Sequence, residues 1–192
     1  NKLVPVEFVF KNKKKEKVSK LFQLNISVTG QNLFSKIIKV RKYMNKNKIN
    51  YLYVSASENV NWLLNIRGKD LPNSPLLNCK LLVPKKGKLY LFINKDKINV
   101  SFKKSFKNLT MYEENDLLKV LNNFKNGTFC IDSNTCSVFD KQIINSKFKI
   151  NCEIDPIYGF KSIKNETEIR NTINAHIEDG IAMTKFLHWF KM

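Results

Sequence analysis

The sequence predicts an α/β domain, a mixed sheet covered by helices, followed by a long terminal helix. Three observations carry this. Short β-branched and aromatic runs alternate with segments of helical periodicity along most of the chain. Two apolar runs around Pro84-Lys-Lys-Gly-Lys88 insert a hairpin into that alternation, so the sheet is mixed rather than purely parallel. Residues 165–192 carry a separate amphipathic repeat with no strand signal.

Each element has its local reason. Residues 1–22 are rich in Lys around one short alternating run, Val4–Phe10, and read as a connector arriving from an upstream domain. Leu33, Ile37, Ile38, Val40 and Met44 lie near helical spacing and predict a helix with one apolar face. Tyr51–Ala56 reads as a strand, and Ser57–Asn65 as a short helix capped by Ser57. After a loop rich in charge and proline, Leu76–Asn94 gives the hairpin. Glu113–Gly127 reads as a helix with Gly127 in the usual C-terminal position. Thr128–Asp132 reads as a strand, Thr135–Ser146 as a helix and Lys147–Ile154 as a strand. No internal repeat is present.

The terminal segment reads as one helix, about 37 Å long at 1.5 Å per residue. Asn165 can cap it, Glu168 sits at the capping-box position, and Glu166 complements the helix dipole. Ile169, Ile173, Ile177 and Ile181 recur every fourth residue, and Phe186, Leu187, Trp189 and Phe190 crowd the end. These four are candidate interface residues, because so much apolar surface at a terminus requires a partner. Its last turns are expected to fray or to pack against another copy. The expected organisation is therefore a connector over 1–22, an α/β domain over 23–163, and a distinct helical segment over 164–192.

Composition excludes some classes. No run approaches the roughly 20 apolar residues of a membrane span. The first residues lack the apolar stretch and small-residue cleavage site of a secretory signal, which points to the cytoplasm. There is no initiator Met, and both ends read as cut. The formal charge of +18 invites a nucleic-acid reading, yet only Arg41, Arg67 and Arg170 among 34 basic residues are Arg. Base reading and bidentate phosphate contacts favour Arg, and the lysines are scattered, so an AT-rich coding bias explains the charge better. Cys79, Cys130, Cys136 and Cys152 form no Cys-x-x-Cys pair and read as free thiols; a Cys130–Cys136 bridge is the alternative. Four Asn-x-Ser/Thr matches, at Asn25, Asn108, Asn126 and Asn165, are ascribed to chance in an Asn-rich chain.

The chain offers no catalytic set and no metal set. It has no P-loop, no dinucleotide fingerprint and no His-Glu-x-x-His. Its two histidines, His176 and His188, both fall on the terminal helix, and Glu113 and Glu114 are adjacent and point differently.

The stretch Asn61–Cys79, "NWLLNIRGKDLPNSPLLNC", resembles the "WLxNxRGxDIPxxP" segment in the middle domain of the three-domain aminopeptidase P (Xaa-Pro aminopeptidase) family. "SVTGQNLFSKIIKVRKYM" is similar to the loop and first helix of that domain. "KSIKNETEIRNTINAHIEDGIAMTKFLHWF" resembles the "KAIKNxxEIxxxxxAHxxDGxAxxxFLxWL" junction into the catalytic domain. The resemblance spans essentially the whole chain. It departs at Lys69, where the family usually has a small Ser, and at Asn73-Ser74.

The resemblance implies a creatinase/prolidase N-terminal-like fold with about six strands flanked by helices, plus the first helix of a pita-bread catalytic domain. The implied parent removes an N-terminal residue that precedes proline. It uses two manganese ions held by Asp, His and Glu ligands in a catalytic domain beyond this chain. This chain alone would then be inactive and would bind no cofactor itself. Its partners would be the catalytic domain, other domains of the same protein or its own copies, with peptide bound only by the full enzyme. Within the chain, Arg67, Gly68 and Asp70 are the candidate residues facing the substrate cleft. Two alternatives stand beside this reading: a free-standing remnant serving as an interaction module, and a basic nucleic-acid-binding domain.

Overall fold

The computed structural model describes residues 18–106 and 108–192. The Val4–Phe10 strand and most of the 1–22 connector lie outside these residues. At the end of that connector, Leu21 is buried in the core, and its N–H donates to the Lys97 carbonyl at 2.9 Å.

A six-stranded mixed sheet runs through the centre, in the order β6-β5-β4-β2-β7-β8. Its strands are β2 (Tyr51–Val54), β4 (Lys80–Pro84), β5 (Leu89–Phe92), β6 (Leu109–Tyr112), β7 (Thr128–Ile131) and β8 (Lys149–Cys152). β2, β7 and β8 are parallel, β4 is antiparallel to both β2 and β5, and β5 is parallel to β6. The β4–β5 hairpin turns at Gly87, whose φ of 88° an L side chain would adopt only under strain. A second sheet has two short strands, β1 (Phe22–Gln23) and β3 (Ile66–Arg67).

Period-2 alternation sends side chains to opposite faces. Leu52, Val54, Leu81 and Val83 point to one side, where they meet α2 (Leu33–Lys46), α3 (Ser57–Leu64), α4 (Val100–Ser105) and α7 (Pro156–Ser162). Tyr53, Leu82, Phe129 and Ile131 point to the other, against α5 (Leu117–Leu121) and α6 (Val138–Asn145). The result is three layers, with a four-residue helix, α1 (Ile26–Thr29), beside the first face and α8 (Glu166–Lys191) leaving it. Burying Val40, Met44 and Leu63 stabilises by roughly 1.5–3 kcal/mol each.

Several local expectations are corrected. The Glu113–Gly127 helix shrinks to α5. The Asp116 carboxylate accepts the Glu113 N–H in a tight turn, so the chain before Leu117 is not helical. After Leu121, Phe124 turns inward to pack edge-on against Tyr51 and Tyr90. Gly127 is thus no helix terminus; a Cβ there would lie 2.7 Å from the Tyr51 ring. Ser57 is the first residue of α3 rather than its cap, and its hydroxyl instead donates to the Cys79 carbonyl. On α2, Ile38 is exposed, and the interior place goes to Lys36, which is 1% exposed. All four cysteines are free.

Candidate functional site

The loop with the Arg-Gly sequence is built from α3 outward. That helix ends at Asn65, left-handed at φ 54°, with its N–H on the Trp62 carbonyl. Arg67 follows and folds back. Its Nη1 donates to the carbonyls of Asn61 (3.0 Å) and Ile66 (2.8 Å), placing a cation over the C-terminal end of α3, where the helix dipole favours it. Burial pulls its pKa down, and its Nε and Nη2 have no partner among the described residues.

Gly68 is buried against Leu77, and a Cβ there would stand 2.9 Å from that side chain. The Gly68 and Asp70 N–H groups donate to the Pro75 and Leu76 carbonyls, and Leu71 bridges Ser74. At the tip, Pro72 followed by Asn73 with φ 62° matches a type II turn. Asp70 is drawn inward: its Oδ2 accepts the Asn78 N–H at 2.6 Å and pairs with Lys97 Nζ at 2.8 Å, and its side chain is only 8% exposed. At the neck, Asn61 pairs both ways with Leu77, with Oδ1 accepting its N–H at 2.9 Å and Nδ2 donating to its carbonyl at 2.8 Å.

The loop is therefore a rigid excursion. Lys69, Leu71, Pro72, Asn73 and Pro75 stay exposed on it. Together with Ser19, Asn94 and Lys97 it bounds an open cleft of about 930 Å³. Of the three residues predicted for the site, Gly68 shapes the neck, Asp70 braces the base, and Arg67 keeps one edge of its guanidinium uncommitted. Sequence reasoning missed Asn61 and Lys97, which hold the loop in place. Asn61 sits inside the apolar Trp-Leu-Leu run, and a polar residue among buried neighbours was the available signal.

A second polar set lies beside α3. The Lys36 ammonium donates to the Trp62 carbonyl and to Asn65 Oδ1, both at 2.7 Å, and stands 4.0 Å from the centre of the Trp62 ring. Burial lowers its pKa to about 8, opposed by the nearby Glu168 carboxylate. The Trp62 indole N–H donates to Glu168 Oε1 at 3.3 Å, so the ring lies between a cation and an anion.

The remaining candidates lie far out on α8. Phe186, Leu187, Trp189 and Phe190 are all exposed, the last two at 70% and 73%, on a helix that continues to Lys191. Among the described residues no three His, Cys, Asp or Glu side chains gather as a metal ion would require. No helix there is long and apolar enough to cross a membrane.

Comparison with known proteins gives one consistent result. The sequence profile of the Creatinase/Prolidase N-terminal domain family matches residues 12–168. Xaa-Pro aminopeptidase 1 of Dictyostelium discoideum is 30% identical over 175 residues, covering 89% of this chain and 27% of the relative. Xaa-Pro aminopeptidase ApepP of Drosophila melanogaster is 28% identical over 184 residues, covering 90% of this chain and 29% of the relative. The chain thus spans less than a third of the length of these relatives. Among solved structures, the X-prolyl aminopeptidase of Caenorhabditis elegans, described as a cytosolic enzyme with a di-nuclear active site, superposes with a TM-score of 0.85. That match is 22% identical and covers 97% of this chain and 31% of the other, which establishes the shared fold.

Proposed function

We propose, from the premise that this chain belongs to the creatinase/prolidase N-terminal domain family in the form carried by Xaa-Pro aminopeptidases of the aminopeptidase P type, that it is the non-catalytic middle domain of a manganese-dependent enzyme that removes the N-terminal residue preceding proline. Such a bond calls for a dedicated enzyme, since proline has no N–H and a fixed φ, and a peptidase that grips the N–H cannot hold it. The proposal assigns no metal chemistry to this chain. Its cytoplasmic placement is supported by the cytosolic description of the Caenorhabditis neighbour.

The observation that carries the reading is the Arg67–Pro75 loop, pinned by buried bonds at its neck while its tip and one guanidinium edge stay available. In the complete enzyme this loop faces the cleft, and Arg67 holds a carboxylate of the substrate or of the catalytic domain. The apolar end of α8 packs against that catalytic domain. Without it, Phe186, Leu187, Trp189 and Phe190 drive self-association.

Kinetics of the full-length enzyme test the reading. A charge-assisted hydrogen bond contributes about 1.5–3 kcal/mol, so Arg67→Ala lowers kcat/KM by about tenfold or more with the fold intact. Unchanged kinetics return the loop to a connector. The 192-residue chain with added manganese is expected to leave an Arg-Pro-Pro peptide uncut; metal-dependent release of its first residue would overturn the assignment.

A further inference from the structure

We infer that the first two turns of α8 are a rigid joint, clamped to α1 and α3, that fixes the direction of this helix relative to the Arg67–Pro75 loop. The helix starts with a full capping box: Asn165 Oδ1 accepts the Glu168 N–H, and Glu168 Oε2 accepts the Asn165 N–H. A capping box by itself only starts a helix. Here both of its side chains also reach across to the α/β domain. Asn165 Nδ2 donates to the Thr29 carbonyl at 2.9 Å, and Glu168 Oε1 accepts the Trp62 indole N–H. One turn on, Asn171 Nδ2 donates to the Val28 carbonyl at 3.1 Å.

The fit at this contact is close. Gly30 ends α1 at φ 65°, and a Cβ there would lie 2.3 Å from Asn165 Oδ1 and 2.8 Å from Thr167 Cβ. No side chain other than hydrogen leaves Asn165 in place. Lys36 supports Trp62 from beneath with its buried ammonium, so the ring has little freedom to tilt. The same α3 holds the loop through Asn61 and Arg67. One helix therefore carries the loop at one set of contacts and α8 at another, and the loop cannot turn without α8.

Packing stops abruptly beyond the joint. From Thr172 onward every residue of α8 is exposed, so among the described residues nothing outside the helix steadies it. Most helical stability in a protein comes from tertiary packing, which the described residues do not give the free part, so it should open while the clamped part does not. The joint itself needs no enzymatic reading; only its consequence for a catalytic domain rests on the proposed function.

Hydrogen–deuterium exchange on the intact chain tests this. In the wild type, amides of residues 169–173 should exchange at least about tenfold more slowly, relative to unstructured rates, than those of residues 182–191. Gly30→Val and, separately, Glu168→Ala should bring the first group to the rate of the second while β2 and β4 keep their protection. A uniform rate along wild-type α8 overturns the joint without any variant. So does retained protection at residues 169–173 in both variants. Neither readout involves peptide or metal, so a failed joint and a failed enzyme assignment are separate outcomes.

Discussion

The Arg67–Pro75 loop and the last turns of α8 both look like surfaces made for something else, and they are built in opposite ways. The loop is ordered by polar bonds to the α/β domain: Asn61 on Leu77, Asp70 on Asn78 and Lys97, Arg67 on the end of α3. Among the described residues the end of α8 has no such support, and it presents Phe186, Leu187, Trp189 and Phe190 outward. Buried polar bonds specify one geometry, because leaving their groups unpaired is costly. Apolar residues specify only that water be excluded, by whatever surface comes. The loop carries its geometry within this chain; under the proposed function the helix end takes its geometry from a neighbour.

The comparison can be broken most strongly at Asn61. Asn61→Ala leaves the Leu77 N–H buried without a partner and the Leu77 carbonyl with only the Cys79 thiol, a weak donor, at about 1–3 kcal/mol for each group. A loss of about 2–5 kcal/mol in unfolding free energy is expected in urea titrations; a loss below about 1 kcal/mol would mean the neck is not what holds the loop.

Truncation sharpens it next. Ending the chain at residue 163 removes the Asn165–Thr29 and Trp62–Glu168 bonds and should cost about 2 kcal/mol, or about 4–8 °C in Tm, leaving the α/β domain folded. Ending it at residue 172 keeps both bonds, should move Tm by less than about 2 °C, and should raise solubility by deleting the aromatic end. Equal Tm values for the two truncations would place the whole helix outside the domain.

The smallest expected effect is one of pH. Lys36 has a pKa of about 8 in the fold against 10.5 ordinarily, because burial disfavours its charge. Between those values the unfolded chain binds the additional proton, so unfolding free energy rises with pH, by at most about 1.4 kcal/mol per unit. Cys130 and Cys136, pushed up by burial to about 12 and about 11, oppose this above about pH 9, and Tyr43 and Tyr158, pushed up to about 12 by burial and carboxylate partners, add to that above about pH 10, so the window is about pH 8–9. Lys36→Met should flatten the rise in thermal melts. A variant with the same slope as the wild type would remove Lys36 as its source.

Much of the fold was legible because it rests on local patterns. The 14-residue α2, the β4–β5 hairpin with Gly87 and the capping box of α8 all formed as their residues require. The failures have a common cause. Glu113–Gly127 reads as one helix until Asp116 uses its carboxylate on the Glu113 N–H, and β6 goes unnoticed because Leu109–Tyr112 has too short an alternation to stand out. Lys36 lies outside the apolar set predicted for α2, yet its stem and ammonium take the interior place expected of Ile38 because Trp62 and Asn65 lie where the charge can be paired. In each case a partner distant in sequence, or a competing local bond, outweighed propensity.

The sequence by itself determined the alternation of strands and helices, the mixed sheet, the start of α8 and the family motif around Arg67, since these depend on periodicity, capping and turn chemistry within a few residues. Only the tertiary structure decided that Asp70 turns inward to Lys97, that Asn61 locks Leu77, and that Glu168 reaches Trp62 across 106 positions of chain. Those choices depend on which polar groups meet once the sheet has brought distant segments together. A buried hydrogen-bonding group is governed by the partner it finds there, and its sequence neighbours do not reveal that partner.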